Sequence, residues 1–386
     1  MTNHFILRNL YSSLLLLLLL FSCSNQNQKQ ANDTLTIDFN PEQNAKYSDI
    51  LETVFIKLET NENCLIDKTI TQIEFASDKL FILSGGTRNI FAFDLSGNFL
   101  AQIGSKGNGP GEHIVPMSFS IDNKRNVISI LDIAQKKIIK YDLNNFTFVS
   151  EEEMNYDSSC FEYLGDNKIV WKNIDYRSDY SKSEFLITDT KKGYLDNVID
   201  KKIITGYSTG RLKTMYKTGD KVFAYSQYDS QIYCFQDDDV VPVYNFTFGK
   251  HSFPTVEYLQ KISANNINFI PVLAASDFIS GYSVFDIDQT MCIYYSVAQI
   301  PYIGIYDKKK NLSYSYTQTT FQENLQIGKI DNIAGVTDNY IVAVLQPFEL
   351  LDKKTEGYKF TRNLEPLVAK SLSDDNPILC LFRIKN

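Results

Sequence analysis

The chain has 386 residues with a formal net charge of −8, 38 Lys and Arg standing against 46 Asp and Glu. An acidic chain with no Lys/Arg stripe is a poor nucleic-acid partner. Only three histidines occur, so a multi-histidine metal centre is excluded.

The first 22 residues read as an export signal. Arg8 is their only charged side chain, and seven leucines run from Leu14 to Leu20 before Phe21. That apolar run is about ten residues, short of the roughly 20 a membrane-spanning helix takes. It ends in Leu20-Phe21-Ser22-Cys23, which resembles the lipobox of bacterial lipoproteins. The resemblance implies lipidation of Cys23 and anchoring through buried acyl CH₂ groups. Residues 24–34 hold no large apolar side chain and read as a flexible tether. The folded domain is therefore expected over 35–386.

Beyond the tether, short β-rich runs alternate with turn residues, as in an all-β chain. One pair of runs recurs six times. Lys79–Ser84 with Asn89–Asp94 returns as Asn126–Leu131 with Lys137–Asp142 and as Lys168–Trp171 with Glu184–Asp189. Further copies are Lys221–Tyr225 with Gln231–Phe235, Met291–Tyr295 with Tyr302–Asp307, and Tyr340–Val344 with Pro377–Phe382. The first five starts are separated by 47, 42, 53 and 70 residues. Intervals near 40–50 suit four-stranded propeller blades. Upstream runs, such as Ile70–Phe75 and Cys160–Leu164, supply the innermost strands. Radial packing of such sheets covers both faces of each.

The expected fold is a six-bladed β-propeller with short helical inserts. Its sixth blade lacks an outermost strand, because the chain stops at Asn386 just after the third. Thr53–Leu58 can supply it and close the ring between the two termini. A short helix is expected at 255–262, and a charged insert at 347–376. Ser48–Thr60 resembles the entry strand of the six-bladed β-propeller lipoproteins of Bacteroidetes. Ile103-Gly-Ser-Lys-Gly-Asn-Gly-Pro-Gly-Glu112 resembles that family's loop after blade one. The resemblance implies the fold and no reaction.

The glycine loop 104–112 has the backbone freedom of an anion nest, but no Gly-Lys-Ser/Thr follows and no helix opens after it. A tight crossing between blades is the simpler reading. No nucleophile elbow or His-Glu-x-x-His pair is present, and neither a resident metal nor a cofactor is indicated. Asp237-Asp238-Asp239 is expected in a hairpin turn. Cys234, Cys292 and Cys380 lie in apolar runs and read as buried thiols.

Propeller ligands meet one mouth of the channel, on inter-blade crossings and on loops between second and third strands. Those loops carry Arg88, Glu112, His113, Asp132, Arg177, Tyr228 and Gln346. The expected function is binding or scaffolding in the cell envelope, with a protein, peptide or glycan as partner and a lipid anchor in the outer membrane, periplasmic face. The alternative is a calcium-dependent propeller hydrolase or lyase of the lactonase or amidating-lyase kind. Clustered channel-facing Asp or Glu would favour that alternative, and dispersed mixed residues would favour binding.

Overall fold

The computed structural model describes residues 34–40, 47–67, 69–76, 78–204, 213–237, 239–264 and 268–385. The signal segment, Cys23 and the tether up to Asp33 lie outside them.

Six antiparallel blades follow in chain order. In blade one the strands are Ile70–Ala76, Lys79–Ser84, Ile90–Asp94 and Phe99–Gln102. Blade two comprises Pro116–Asp122, Val127–Asp132, Lys137–Asp142 and Phe148–Glu153, and blade three Ser158–Leu164, Lys168–Asn173, Ser183–Asp189 and Gly193–Asp200. Blade four contains Met215–Thr218, Lys221–Tyr225, Gln231–Gln236 and Asp239–Thr247. Blade five is built of Ile279–Asp286, Thr290–Val297, Ile300–Asp307 and Leu312–Thr317.

Blade six takes Asn332–Val336, Ile341–Leu345 and Ile378–Ile384 from the C-terminal part of the chain. Its fourth strand is Leu51–Lys57, antiparallel to Ile378–Ile384 with Thr53 opposite Phe382 and Lys57 opposite Ile378. The ring therefore closes between the two ends of the domain, as the strand count requires.

Period-two alternation sends each strand's side chains toward the two neighbouring blades. In Ile341–Leu345, Ile341, Ala343 and Leu345 pack toward blade five with Ile303, Ile305 and Cys292. Val342 and Val344 pack the other way, against Ile73, Leu80, Ile82 and Phe91 of blade one. A buried apolar layer of this kind fills every one of the six blade interfaces. Blades six and one are joined by a short parallel pairing of Gly335 with Ile73. A side chain at Gly335 would collide with the Ile73 carbonyl, so only glycine permits that contact.

The first described segment does something the sequence reading did not anticipate. Leu35–Asp38 adds a fifth, parallel strand to the outer edge of blade four, Leu35 opposite Tyr244 and Asp38 opposite Thr247. Phe39 then enters the interface of blades four and five, 5.6 Å from the Phe246 ring. Tyr47 enters the next interface, where its hydroxyl donates to the Ile303 carbonyl at 2.9 Å and its ring meets Phe321 at 4.7 Å. One segment thus ties three blades together from outside. Cys64, Cys160, Cys234, Cys292 and Cys380 are all buried free thiols.

Candidate functional site at the crossing end

In every blade the start of the first strand pairs beside the end of the second: Ile70 with Ser84, Pro116 with Asp132, Ser158 with Asn173, Met215 with Ala224, Ile279 with Val297, Asn332 with Val344. Inter-blade crossings and second-to-third loops consequently share one end of the ring, here termed the crossing end. The opposite end carries hairpin turns of two to five residues and the four-residue helix Tyr47–Ile50, which leads into Leu51 opposite Ile384. The longer insertions are on the crossing end. It holds the glycine loop, the helices Val256–Ser263 and Phe269–Ala274 between blades four and five, and Gln318–Leu325 between five and six. The 347–376 insert forms two more helices, Pro347–Thr355 and Glu365–Ala369. The expected helix at 255–262 is present and is capped by Thr255, whose hydroxyl accepts from Tyr258 N at 3.2 Å.

All seven candidate residues lie on this end. Three of them meet. Glu112 folds back over its own loop, where its carboxylate accepts from Gly109 N at 2.7 Å. The nest is filled by the protein's own carboxylate, and the loop works as a crossing; Gly104 and Gly111 have φ of 69° and 73°. His113 is 1% exposed, with Nε2 3.4 Å from the Ile103 carbonyl. Burial, the leading cause, pushes its pKa below the usual histidine value. Asp132 is fully buried and accepts from Ala134 N at 2.9 Å and Gln135 N at 3.1 Å within its turn. It also accepts from Ile114 N and Val115 N in the crossing.

The other four occupy separate loops. Arg88 is half-buried at a φ of 59°, with Nη1 buried and without a partner among the described residues. Tyr228 is buried with Leu259, Ile262, Phe269 and Leu273 under the helical insert. Gln346 is buried and donates to Asp331 Oδ2 at 3.1 Å. Arg177 is exposed, its guanidinium 4.6 Å from the Tyr176 ring centroid. Burial gives His113, Asp132, Tyr228 and Gln346 work within the fold, because a ligand at the surface reaches them only by displacing a loop.

The channel holds a group that the sequence reading missed. Lys213 binds Glu74 and, at 2.9 Å, Glu162. Ser120 Oγ donates to the other Glu162 oxygen at 2.7 Å, and Gln72 Nε2 donates to Glu74 at 2.6 Å. These side chains belong to the first strands of blades one, two and three, with Lys213 just ahead of that of blade four. Blades one and four oppose each other in a six-membered ring, so the Glu74–Lys213 pair spans the channel. Burial raises the Glu74 carboxyl pKa. The two carboxylates hold Lys213 above its ordinary value, against the desolvation that opposes them. Polar residues at alternate positions of the first strands, Gln72 and Glu74 or Ser118 and Ser120, were the available signal. Among the described residues no three His, Cys, Asp or Glu side chains are placed to hold a metal.

A family model described as a 6-bladed beta-propeller matches residues 25–344. The chain belongs to that family. The propeller is 35% identical to a protein of Bacteroides fragilis that is named for an inferred export; their structures superpose with a TM-score of 0.87 over 91% of this chain and 100% of that one. A DUF4221-family protein of Bacteroides vulgatus shares the fold at 11% identity and a TM-score of 0.53, covering 88% of this chain and 99% of its own. No curated protein matches the propeller. No helix among the described residues is long and apolar enough to cross a membrane.

Proposed function

We propose that this propeller is a non-enzymatic binding protein of the cell envelope, exported, held by a lipid on Cys23 at the periplasmic face of the outer membrane, and engaging its partner on the crossing end. The observation that carries the reading is the asymmetry of the ring. One end is built from minimal turns, while the other carries the long loops and all five described helices beyond Tyr47–Ile50. Function on repeat scaffolds resides in such loops. The inferred export of the Bacteroides fragilis relative and the Cys23 motif support the location.

The calcium-dependent alternative asks for clustered channel carboxylates, and Glu74 and Glu162 are such a pair. Their shared partner is the Lys213 ammonium, which occupies the position between them that a divalent cation would need. That occupancy favours binding over metal-assisted hydrolysis.

The test masks one end at a time. R177C on the crossing end and D338C on the turn end are each coupled to a bulky maleimide, and retention on envelope extract is measured. Loss for the first alone is expected. Equal retention of both, or loss for the second alone, contradicts the reading. For the anchor, Cys23→Ala should move the protein out of the membrane fraction and abolish acyl labelling; unchanged fractionation contradicts lipidation.

A further inference from the structure

Beside the outer edge of blade three, three tyrosines from separate segments assemble into one surface that runs from the crossing-end loops to Tyr194, which lies opposite Thr188 next to the 190–192 turn. Tyr156 comes from the crossing between blades two and three, Tyr180 from a short 3-10 turn at Asp179–Lys182, and Tyr194 from the outer strand. Their ring centroids are 5.8 Å apart for Tyr156–Tyr180, 5.3 Å for Tyr180–Tyr194 and 6.4 Å for Tyr156–Tyr194. Tyr194 is 38% exposed, and the other two are half-buried. None of the three hydroxyls has a hydrogen-bond partner among the described residues, although tyrosine hydroxyls usually find one when buried.

The platform is held firmly from beneath. Trp171 lies 6.2 Å from Tyr156 and 5.4 Å from Phe161, and its Nε1 donates to Thr188 Oγ1 at 2.8 Å. Ser178 caps the 3-10 turn, and Asn173 Nδ2 donates to the Tyr180 carbonyl at 2.6 Å. The adjoining loop presents the exposed Tyr176–Arg177 pair.

We propose that this tyrosine platform is a saccharide-binding site. The rings touch one another, so nothing inserts between them. That excludes an aromatic cage for a quaternary ammonium, and it excludes the slot that a proline-rich peptide uses. The Tyr194 ring is inclined by 44° to Tyr180 and 42° to Tyr156, so a ligand stacks on the exposed Tyr194 ring, offering polarised C–H groups to that electron-rich face. Its perimeter must carry groups that both donate and accept, to meet free phenols, Arg177 and the nearby Asp196 carboxylate, whose charge helps raise the Tyr194 pKa after burial. A pyranose ring meets both conditions. The carboxylates Asp179 and Asp196 beside the platform oppose a phosphate or another anion, while Asp157 is paired with Lys136 at 3.1 Å.

The assignment rests on the proposed binding function and names its ligand class. Trp171 is the only tryptophan in the chain and lies under the platform, so it reports directly. The full chain is titrated with neutral hexasaccharides of β-glucan, mannan, xylan and chitin type while its emission is followed. At least one is expected to shift the emission saturably. Tyr194→Ala should weaken that response by about tenfold or more, with thermal unfolding unchanged. Tyr194→Phe, which keeps the ring, should retain most of it. No response to any of the four, a response untouched by Tyr194→Ala, or a response only to a proline-rich peptide overturns the proposal. If crossing-end retention on envelopes persists while the platform is silent, the binding function stands and only the ligand class falls.

Discussion

Asp132 joins two loops by accepting backbone N–H groups from both, Ile114 and Val115 on one side and Ala134 and Gln135 on the other. Removing it strips these part-buried donors of their acceptor, at about 0.5–1.5 kcal/mol each before relaxation. Asp132→Ala should therefore lower the unfolding free energy by about 2–4 kcal/mol in a denaturant titration. A change below about 0.5 kcal/mol would show the contacts to be dispensable. His113 makes the pH prediction. Burial holds its folded pKa below the unfolded value, so on acidification the unfolded chain takes a proton before the folded chain does. Stability from this site is complete above the unfolded pKa, about 6.5, and falls as pH drops below it. His113→Gln should flatten the loss of stability between pH 7 and pH 5, measured by denaturation at each pH against the parent chain. An unchanged slope would remove His113 from the account. Neither role was readable from the sequence. A histidine or aspartate on a loop looks the same whether it faces water or the underside of its own loop.

At the scale of elements, the ring-closing strand was legible and the outer strap was not. Thr53–Leu58 was expected by counting, since five blades were complete and the sixth lacked one strand; the strand itself spans Leu51–Lys57. Leu35–Asp38 is four residues long and pairs parallel to a distant strand, so neither alternation nor a hairpin turn announces it. Deleting residues 35–60 should expose the edges of blades four and six and promote aggregation, visible by light scattering, because unpaired edges template association. Phe39→Ala isolates the strap. It empties a fully buried aromatic site and should cost about 3–5 kcal/mol. A cost near zero would show the strap to be ornamental. The helix expected at 255–262 was readable from the Pro254 that precedes it. The paired helix Phe269–Ala274 was not, being six residues with no polar face to set a period.

Across the whole molecule, the polar network in the channel links blades that are not neighbours. Six apolar interfaces close the ring, and Lys213 reaches across it to Glu74 and Glu162. Lys213→Met would leave Glu74 facing Glu162 with no cation between them and raise the Glu74 pKa further. A carboxyl whose folded pKa is raised loses stability as pH rises through that value. The variant should thus be more destabilised at pH 7 than at pH 5, by about 3–5 kcal/mol at the higher pH. Equal loss at both would mean that packing, not charge, is what Lys213 supplies. The fold at this scale was readable because six repeats leave few other arrangements. The site was less so: sequence order puts all seven candidate residues on one end, but only coordinates reveal which side chains the loops themselves consume.

The central claim is that the crossing end is the working face, and hydrogen-exchange footprinting tests it most directly. The full chain would be compared free and bound to its envelope fraction. Protection should be confined to crossing-end segments such as 104–113, 174–182 and 347–376. Protection confined instead to the opposite turns, such as 123–126, 165–167 and 308–311, would contradict the account.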